Sequence, residues 1–375
     1  MSSVSDVLIL GGGVIGLSAA YYLAREGASV EVVDKGDFGR EASWAGAGII
    51  PPGNPDRART PYEQLRAHSS AMYPRVTAEL RETTGIENGY WQCGGLEWLP
   101  AGDEIAVERA WRDEGIEFER LEPKALGKVE TALTSGRSAA YFLPHMAQVR
   151  NPWHLRALLA WCERRVKLRP HCAVHGLARE GSRVLAAEVQ DGRIAAGRYL
   201  VATGAWTGSL LQSIGCCLDV HPVRGQIVLL NTGTPRLKRI LLVGKRYVVP
   251  RSDGRVLVGS TEEDVGFDKR TTALAIGQLL SFAQEMGCGL EDAQVEHCWA
   301  GLRPGSWDGM PFLGRIPTMD NVYVAAGHFR AGIQLAPITG LVMKELLLGQ
   351  TTSVPLDAFR PERPPASPSQ SAFRS

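Results

Sequence analysis

Apolar residues recur along this chain in two periods. Short runs at 7–10 and 30–33 read as buried strands, and between them residues 14–26 are small and apolar at helical density until Gly27 stops them. Leu65, Met72, Val76 and Leu80 recur at near-helical spacing and place a helix over 61–83. The intervening GREASWAGAGIIPPG, residues 39–53, is too rich in Gly and Ala for a surface helix and ends at Pro51 and Pro52. Such a stretch suits close approach of backbone to a flat ligand. WQCGGLEWLP reads as a strand around a Gly-Gly break, and 103–135 as helical segments rich in Glu and Arg.

Asn151 followed by Pro152 reads as an N-cap and first helical residue, starting a helix over 152–165 that turns Leu155, Leu158, Leu159 and Trp161 toward a core. AVHGLARE and RVLAAEVQ are two β segments with a turn between them, followed by a turn at Asp191-Gly192. Residues 197–208 read as a buried strand entering a glycine turn, and 222–230 as another strand. Segments 247–250 and 256–259 form a hairpin across Ser252-Asp253-Gly254, and 271–286 an amphipathic helix. Residues 321–349 are strand, glycine loop and helix. From about 360 the chain is rich in Pro, Ser and Arg, and 360–375 is expected to be a disordered tail.

At 375 residues, with 44% hydrophobic and 22% charged residues, the composition is that of a globular protein of two domains or one composite one. Lys+Arg 41 against Asp+Glu 40 leaves +1, so no global field recruits nucleic acid or an anionic membrane. The first strand begins within about five residues, so no leader is expected, and no apolar run approaches the roughly 20 residues of a membrane span. Cysteines at 93, 162, 172, 216, 217, 288 and 298 make no C-x-x-C pair, so reduced thiols and a cytoplasmic location are expected, with no metal site.

Gly11, Gly13 and Gly16 sit between the first strand and helix as G-x-G-x-x-G, and Asp34 ends the second strand. In this dinucleotide-binding arrangement Gly11 permits the turn, Gly13 lets N–H groups approach a pyrophosphate, and Gly16 brings helix and strand together. Val14 and Ile15 open the helix whose N-terminus favours an anion. An acid at 34 suits ribose hydroxyls and argues against a phosphorylated ribose. Two further strand ends, at 201–208 with Gly204 and at 325–332, also carry glycines. Ligands of open parallel sheets bind beyond the carboxyl ends of strands, so three such loops suit one extended dinucleotide, and FAD is the more economical choice over a nicotinamide.

GGGVIGLSAAYYLAREGASVEVVDKG, LVATGAW, PVRGQ, GLRPGSWDGMPFLGR and AAGHFRAGIQLAPITG occur in this order. Together they resemble the D-amino acid oxidase family of flavoproteins, most of all its glycine oxidases of thiamine biosynthesis, over nearly the whole chain to about residue 350. The resemblance implies an α/β (α+β) fold. A Rossmann-like FAD-binding domain would come from 1–84, 146–222 and 305–350, and an inserted antiparallel-sheet substrate domain from 85–145 and 223–304.

The resemblance also assigns residues. Gly11, Gly13, Gly16 and Asp34 would hold the ADP half, Arg40 and Ser43 the pyrophosphate and ribityl chain, and Ala45, Gly46, Ala47 and Gly48 would pass the flavin ring. Val174 would meet adenine, and Gly332, Ile333, Gln334 and Leu335 would present N–H groups to the flavin. Arg330 would clamp the substrate carboxylate with help from Tyr247, and Arg303 would shape the mouth beside the flavin. Without the resemblance Tyr247 could be a core tyrosine and Arg330 a surface arginine in a salt bridge. His328 would pack near the ring or bond backbone and would not act as a base.

Glu262 departs from the expected apolar residue. Facing the pocket it could favour a cationic or N-substituted amine; facing solvent it belongs to a charged turn with Glu263 and Asp264. The thiol nearest to the place where related sarcosine oxidases attach flavin is Cys298, and the matching position is Gly301, so noncovalent FAD is expected. The implied reaction passes hydride from Cα of glycine or another small amine to flavin N5. The imine hydrolyses to oxo acid and ammonia, and O2 becomes hydrogen peroxide. A homotetramer is a family expectation. A sarcosine-type (N-methyl amino acid) oxidase, a D-amino acid dehydrogenase using another acceptor, a nicotinamide dehydrogenase and a non-enzymatic flavin module remain alternatives.

Overall fold

The computed structural model describes residues 4–134 and 137–364. One sheet has six strands, in the spatial order Phe312–Arg315, Val322–Ala326, Ala196–Val201, Ser5–Leu10, Val30–Val33 and Lys167–Arg169. Its neighbours run parallel except at the Phe312–Arg315 edge. Parallel sheets are covered on both faces, and the central strands here are accordingly continuous apolar runs. Val7, Ile9, Val30, Val32 and Leu200 pack against the helices Val14–Arg25, Pro61–Thr84, Asn151–Glu163 and Gly332–Leu347. Leu8, Leu10, Val33, Tyr199 and Val201 face a small three-stranded sheet, 174–194, and the short helix Thr207–Gln212.

Helix Pro61–Thr84 opens with a complete capping box between Thr60 and Glu63 and closes at Gly85 in the left-handed region. The next helix differs from the sequence expectation. It runs Asn151–Glu163, Arg150 holds the capping position with no side-chain cap, and Asn151 is buried as the first helical residue. Its amide is committed to a loop described below. The Gly/Ala-rich stretch at 39–53 contains one helical turn, Ala42–Ala45, and a two-residue strand, Ile49–Ile50, paired with Ala147–Gln148.

The second sheet has eight strands, in the order Gln294–Ser306, Val220–Asn231, Arg255–Gly259, Arg246–Pro250, Ile240–Val243, Gly95–Trp98, Ala140–Leu143 and Glu119–Leu121. It departs from a purely antiparallel sheet at Ile240–Val243, which pairs in parallel with Gly95–Trp98 and so joins two sequence-distant segments. One face packs on the helix Ala273–Glu285 through Val228, Val248, Val258, Leu279 and Phe282. The other, with Ile227, Tyr247 and Leu257, turns toward the first sheet. The expected divisions at 222/223 and 304/305 fall inside the paired strands Val220–Asn231 and Gln294–Ser306 and not in linkers.

The expected tail begins too early. The Arg363 side chain is buried, and its guanidinium forms a two-pronged ion pair with Asp308 at 2.8 and 2.9 Å. Residues 365–375 of that expectation lie outside the described residues. All seven cysteines are free thiols, and no described helix is long and apolar enough to cross a membrane.

Candidate active site

The first strand leaves the sheet at Gly11, whose φ of +105° is in the left-handed region. A Cβ there would lie 2.4 Å from the carbonyl oxygen of Ala202 on the neighbouring strand, so only glycine fits. A Cβ on Gly16 would lie 1.9 Å from the Gly11 oxygen, which seats the helix against the turn. Asp34, at the end of the next strand, accepts from Gly12 N–H at 2.7 Å and Gly36 N–H at 3.0 Å. Burial raises its pKa against the pull of those two donors. Ser43 Oγ accepts from Val14 N–H at 3.0 Å and ties the 39–53 segment to the helix start.

Strands Ser5–Leu10, Ala196–Val201 and Val322–Ala326 are adjacent and parallel, so their glycine-bearing ends emerge side by side. All three ends open into one cavity of about 1640 Å³ between the two sheets. Of the residues nominated from sequence, only Gly16 and Leu335 are absent from its wall. Gly16 packs beneath the turn. Leu335 is fully buried and its N–H is donated to the Ala331 oxygen at 2.8 Å, so it presents nothing to the cavity.

The segment at 43–47 is held by its carbonyl oxygens. Asn151 Nδ2 donates to Ser43 O at 2.9 Å, Trp299 Nε1 to Ala45 O at 3.0 Å, and Arg251 Nη2 to Ala47 O at 2.7 Å. Arg251 is buried and also donates to Gln148 Oε1 and Val149 O. Burial, with Arg150 nearby, lowers its pKa to about 10, which leaves it charged at neutral pH. The start of helix Gly332–Leu347 is held likewise. Tyr73 donates to Ile333 O, Ser69 Oγ to Gln334 O at 2.6 Å, and Gln334 Nε2 to Ser70 Oγ at 3.1 Å. Sequence reasoning missed these holders. Each lies on an element remote from the segment it grips, and nothing in its local pattern points there.

His328 is buried and shares a 3.1 Å hydrogen bond with the hydroxyl of Thr339, a side chain and not the expected backbone. Burial pushes its pKa down to about 3, so the ring is neutral and a poor base.

Tyr247 is buried in strand Arg246–Pro250 and faces the cavity. Arg303 lies beside it on strand Gln294–Ser306, and its guanidinium occupies the space over Gly225, where a Cβ would lie 2.2–2.4 Å away. It donates to Ser260 Oγ at 2.6 Å and Thr261 O at 3.1 Å. Burial lowers its pKa, opposed by Tyr247.

Arg330 reaches the cavity wall and is also ion-paired. It donates to Glu262 Oε2 at 3.2 Å and to Lys245 O at 2.9 Å. Both sequence readings of Arg330 therefore describe part of its setting. Glu262 is absent from the cavity wall and also holds Lys245 at 2.7 Å. Partial burial pulls the Glu262 carboxyl up, but Lys245, Arg330 and Arg303 outweigh it and hold the pKa below the usual carboxylate range. Glu263 turns instead to Arg224 and Gln226.

The cavity exceeds the roughly 300–1,000 Å³ of pockets for drug-sized ligands, which leaves room for a dinucleotide and a small molecule together. Gly11, Gly13 and Gly48 present backbone to it, and Asp34 lies along it at a strand end. These residues fit FAD. Gly301 is on the wall with a Cβ position 2.5 Å from Ala45, whereas Cys298 is exposed and off the wall, so position 301 offers no thiol for a covalent link. Among the described residues no group of His, Cys, Asp and Glu is arranged to hold a metal ion.

A family model described as DAO, FAD dependent oxidoreductase, matches residues 6–346. The chain is 37% identical over 360 residues to a glycine oxidase of Pseudomonas putida, covering 95% of this chain and 98% of that one. It is 34% identical over 364 residues to a bifunctional protein ThiO/ThiG of Nostoc sp., covering 96% of this chain and 55% of that protein. The crystal structure of a glycine oxidase from Geobacillus kaustophilus superposes with a TM-score of 0.90 at 32% identity, over 96% and 98% of the two chains.

Proposed function

This chain belongs to the DAO family of FAD-dependent oxidoreductases, and on that premise we propose that it oxidises glycine and other small amino acids. One observation carries the reading: the three glycine-bearing strand ends and the 43–48 segment wall the same cavity as Tyr247, Arg303 and Arg330. Gly11, Gly13, Asp34, Arg40, Ser43, Val174 and Gly204 would hold the nucleotide. Ala45 to Gly48 and the start of helix Gly332–Leu347 would hold the flavin, noncovalently. FAD bound there would supply the hydride acceptor and the electrons that reduce O2 to hydrogen peroxide.

What the chain contributes is placement. Arg330 offers a planar pair of donors to the substrate carboxylate, and Tyr247 adds a hydroxyl from the opposite sheet. Fixing that end orients Cα, and proximity of this kind is worth up to roughly 7–11 kcal/mol. The apolar wall favours a neutral amine, so no protein base is needed, consistent with the neutral His328. The imine product then hydrolyses in water to oxo acid and ammonia. The resemblance adds a homotetramer and a role in the thiazole branch of thiamine biosynthesis to the proposal, and the cysteine pattern adds a cytoplasmic setting.

The test is direct. Purified protein should carry the visible absorbance of oxidised flavin, released on denaturation, and should consume oxygen and release peroxide with glycine. Faster turnover of sarcosine would favour an N-methyl amino acid oxidase. Anaerobic bleaching by D-amino acids without oxygen uptake would favour a dehydrogenase, and a colourless protein would end the proposal.

A further inference from the structure

Glu97 stands on the cavity wall without a partner among the described residues. Its strand, Gly95–Trp98, pairs in register with Ile240–Val243, so that Glu97 lies opposite Leu242, and Leu242 in turn lies opposite Tyr247. Directly opposed residues project from the same face of a sheet. Glu97, Leu242 and Tyr247 therefore form one row across three strands, and all three line the cavity. At about 4.8 Å per strand, Glu97 lies about 10 Å along the row from Tyr247.

The charges around Glu97 are otherwise committed. Arg66 is ion-paired with Glu114 and donates to Pro52 O. Glu63 closes the capping box with Thr60. Lys245 is held by Glu262, and Arg246, which also borders the cavity, has its guanidinium over the Phe282 ring. Among the described residues the Glu97 carboxyl has no hydrogen bond or ion pair, and burial alone pushes its pKa up to about 7. A carboxyl of this kind ionises fully when a cation arrives beside it. Glu262, the acid whose sequence position suggested a preference for cations, is already neutralised by Lys245 and Arg330.

We infer that this lobe of the cavity receives a cationic arm of the substrate, an ammonium or guanidinium, and that Glu97 is the residue that selects it. The arm is carried on the side chain or nitrogen of an amino acid whose carboxylate lies at Arg330 and Tyr247. With a hydrogen-bond length left at each end, about 4 Å remains, which suits an arm of three to four bonds. The inference rests on the amino acid oxidase reading, and the following test separates the two.

The probes are 4-aminobutanoate and butanoate, which share a carboxylate and chain, lack an α-amine and differ in the terminal cation. Binding to the FAD-loaded full-length protein is read by calorimetry or by the change in flavin absorbance. The aminated probe should bind about tenfold tighter or better, since a desolvated charge pair is worth more than a surface one. In Glu97→Gln, which keeps the side-chain shape, that ratio should collapse toward one. A ratio near one in the unaltered protein needs no variant to overturn the inference, and a ratio that survives in Glu97→Gln overturns it too. Failure to oxidise glycine would instead remove the underlying reading, because glycine carries no arm.

Discussion

Glu262→Gln tests whether Arg330 is available to a substrate or is held in reserve. The pair is 3.2 Å apart, with side-chain exposures of 18% and 26%, so water screens it only in part. Coulomb's law at 3.2 Å gives about 1.3 kcal/mol at the permittivity of water, and the entropy of fixing two long side chains reduces the net to about 1 kcal/mol. A substrate carboxylate must displace or share that partner. Glutamine keeps the shape and an acceptor oxygen but removes the charge. The apparent KM for glycine should fall about fivefold, since 1.4 kcal/mol is a tenfold change, while kcat changes little. Initial rates of peroxide release against glycine concentration measure this, and the gain should shrink as ionic strength rises. An amine lacking a carboxylate is the control and should gain nothing. A raised KM for glycine would refute the reasoning and make Glu262 the group that aims Arg330 instead of its competitor.

Gly225→Ala should reposition Arg303, whose guanidinium fills the space a Cβ would take; kcat/KM should fall by up to about 100-fold with the melting temperature nearly unchanged. Arg251→Met removes the donor to Ala47 O, Val149 O and Gln148 Oε1, and should cost about 3 kcal/mol and weaken FAD binding more than tenfold, read by thermal melts and flavin fluorescence titration. Stability should also drop on mild acidification. Burial lowers the pKa of His154 to about 4 and of His328 to about 3, so the unfolded chain takes these protons from about pH 6.5 downward while the folded chain refuses them. Stability is present above pH 6.5 and should decline by about 3 kcal/mol per histidine by pH 4.5. Thermal melts from pH 7.5 to 4.5 check this, and His154→Gln should flatten the slope.

Much of the nucleotide side was legible because its signals are local. A strand, three glycines, a helix and Asp34 lie within one short stretch, and each has a fixed spacing to the next. The loop from Gly327 to Gly332 was legible for the same reason. What depends on strand pairing was not. Glu97 sits among WQCGGLEWLP with nothing to mark it, and gains meaning only once register sets it two strands from Tyr247. Arg251 follows a proline at a hairpin turn, where an arginine ordinarily points to water, yet it is buried under the 43–47 segment. Asn151 before Pro152 satisfied the statistics of a helix cap, but its amide was already required by Ser43 O. Arg363 lies in a stretch whose composition suggests no structure, while its charge answers the buried Asp308.

The parallel pairing of Ile240–Val243 with Gly95–Trp98 bears on how the molecule matures. That pairing, like those of Ala196–Val201 with Ser5–Leu10 and with Val322–Ala326, closes very long loops, and contacts of such high sequence separation form slowly. Partly folded chains therefore have no assembled place for the dinucleotide. A ligand that engages only the finished fold stabilises it in proportion to the logarithm of its concentration. Flavin supply during synthesis should thus govern how much chain reaches its native state, and starving an expressing cell of riboflavin should lower the yield of folded protein more than the yield of polypeptide.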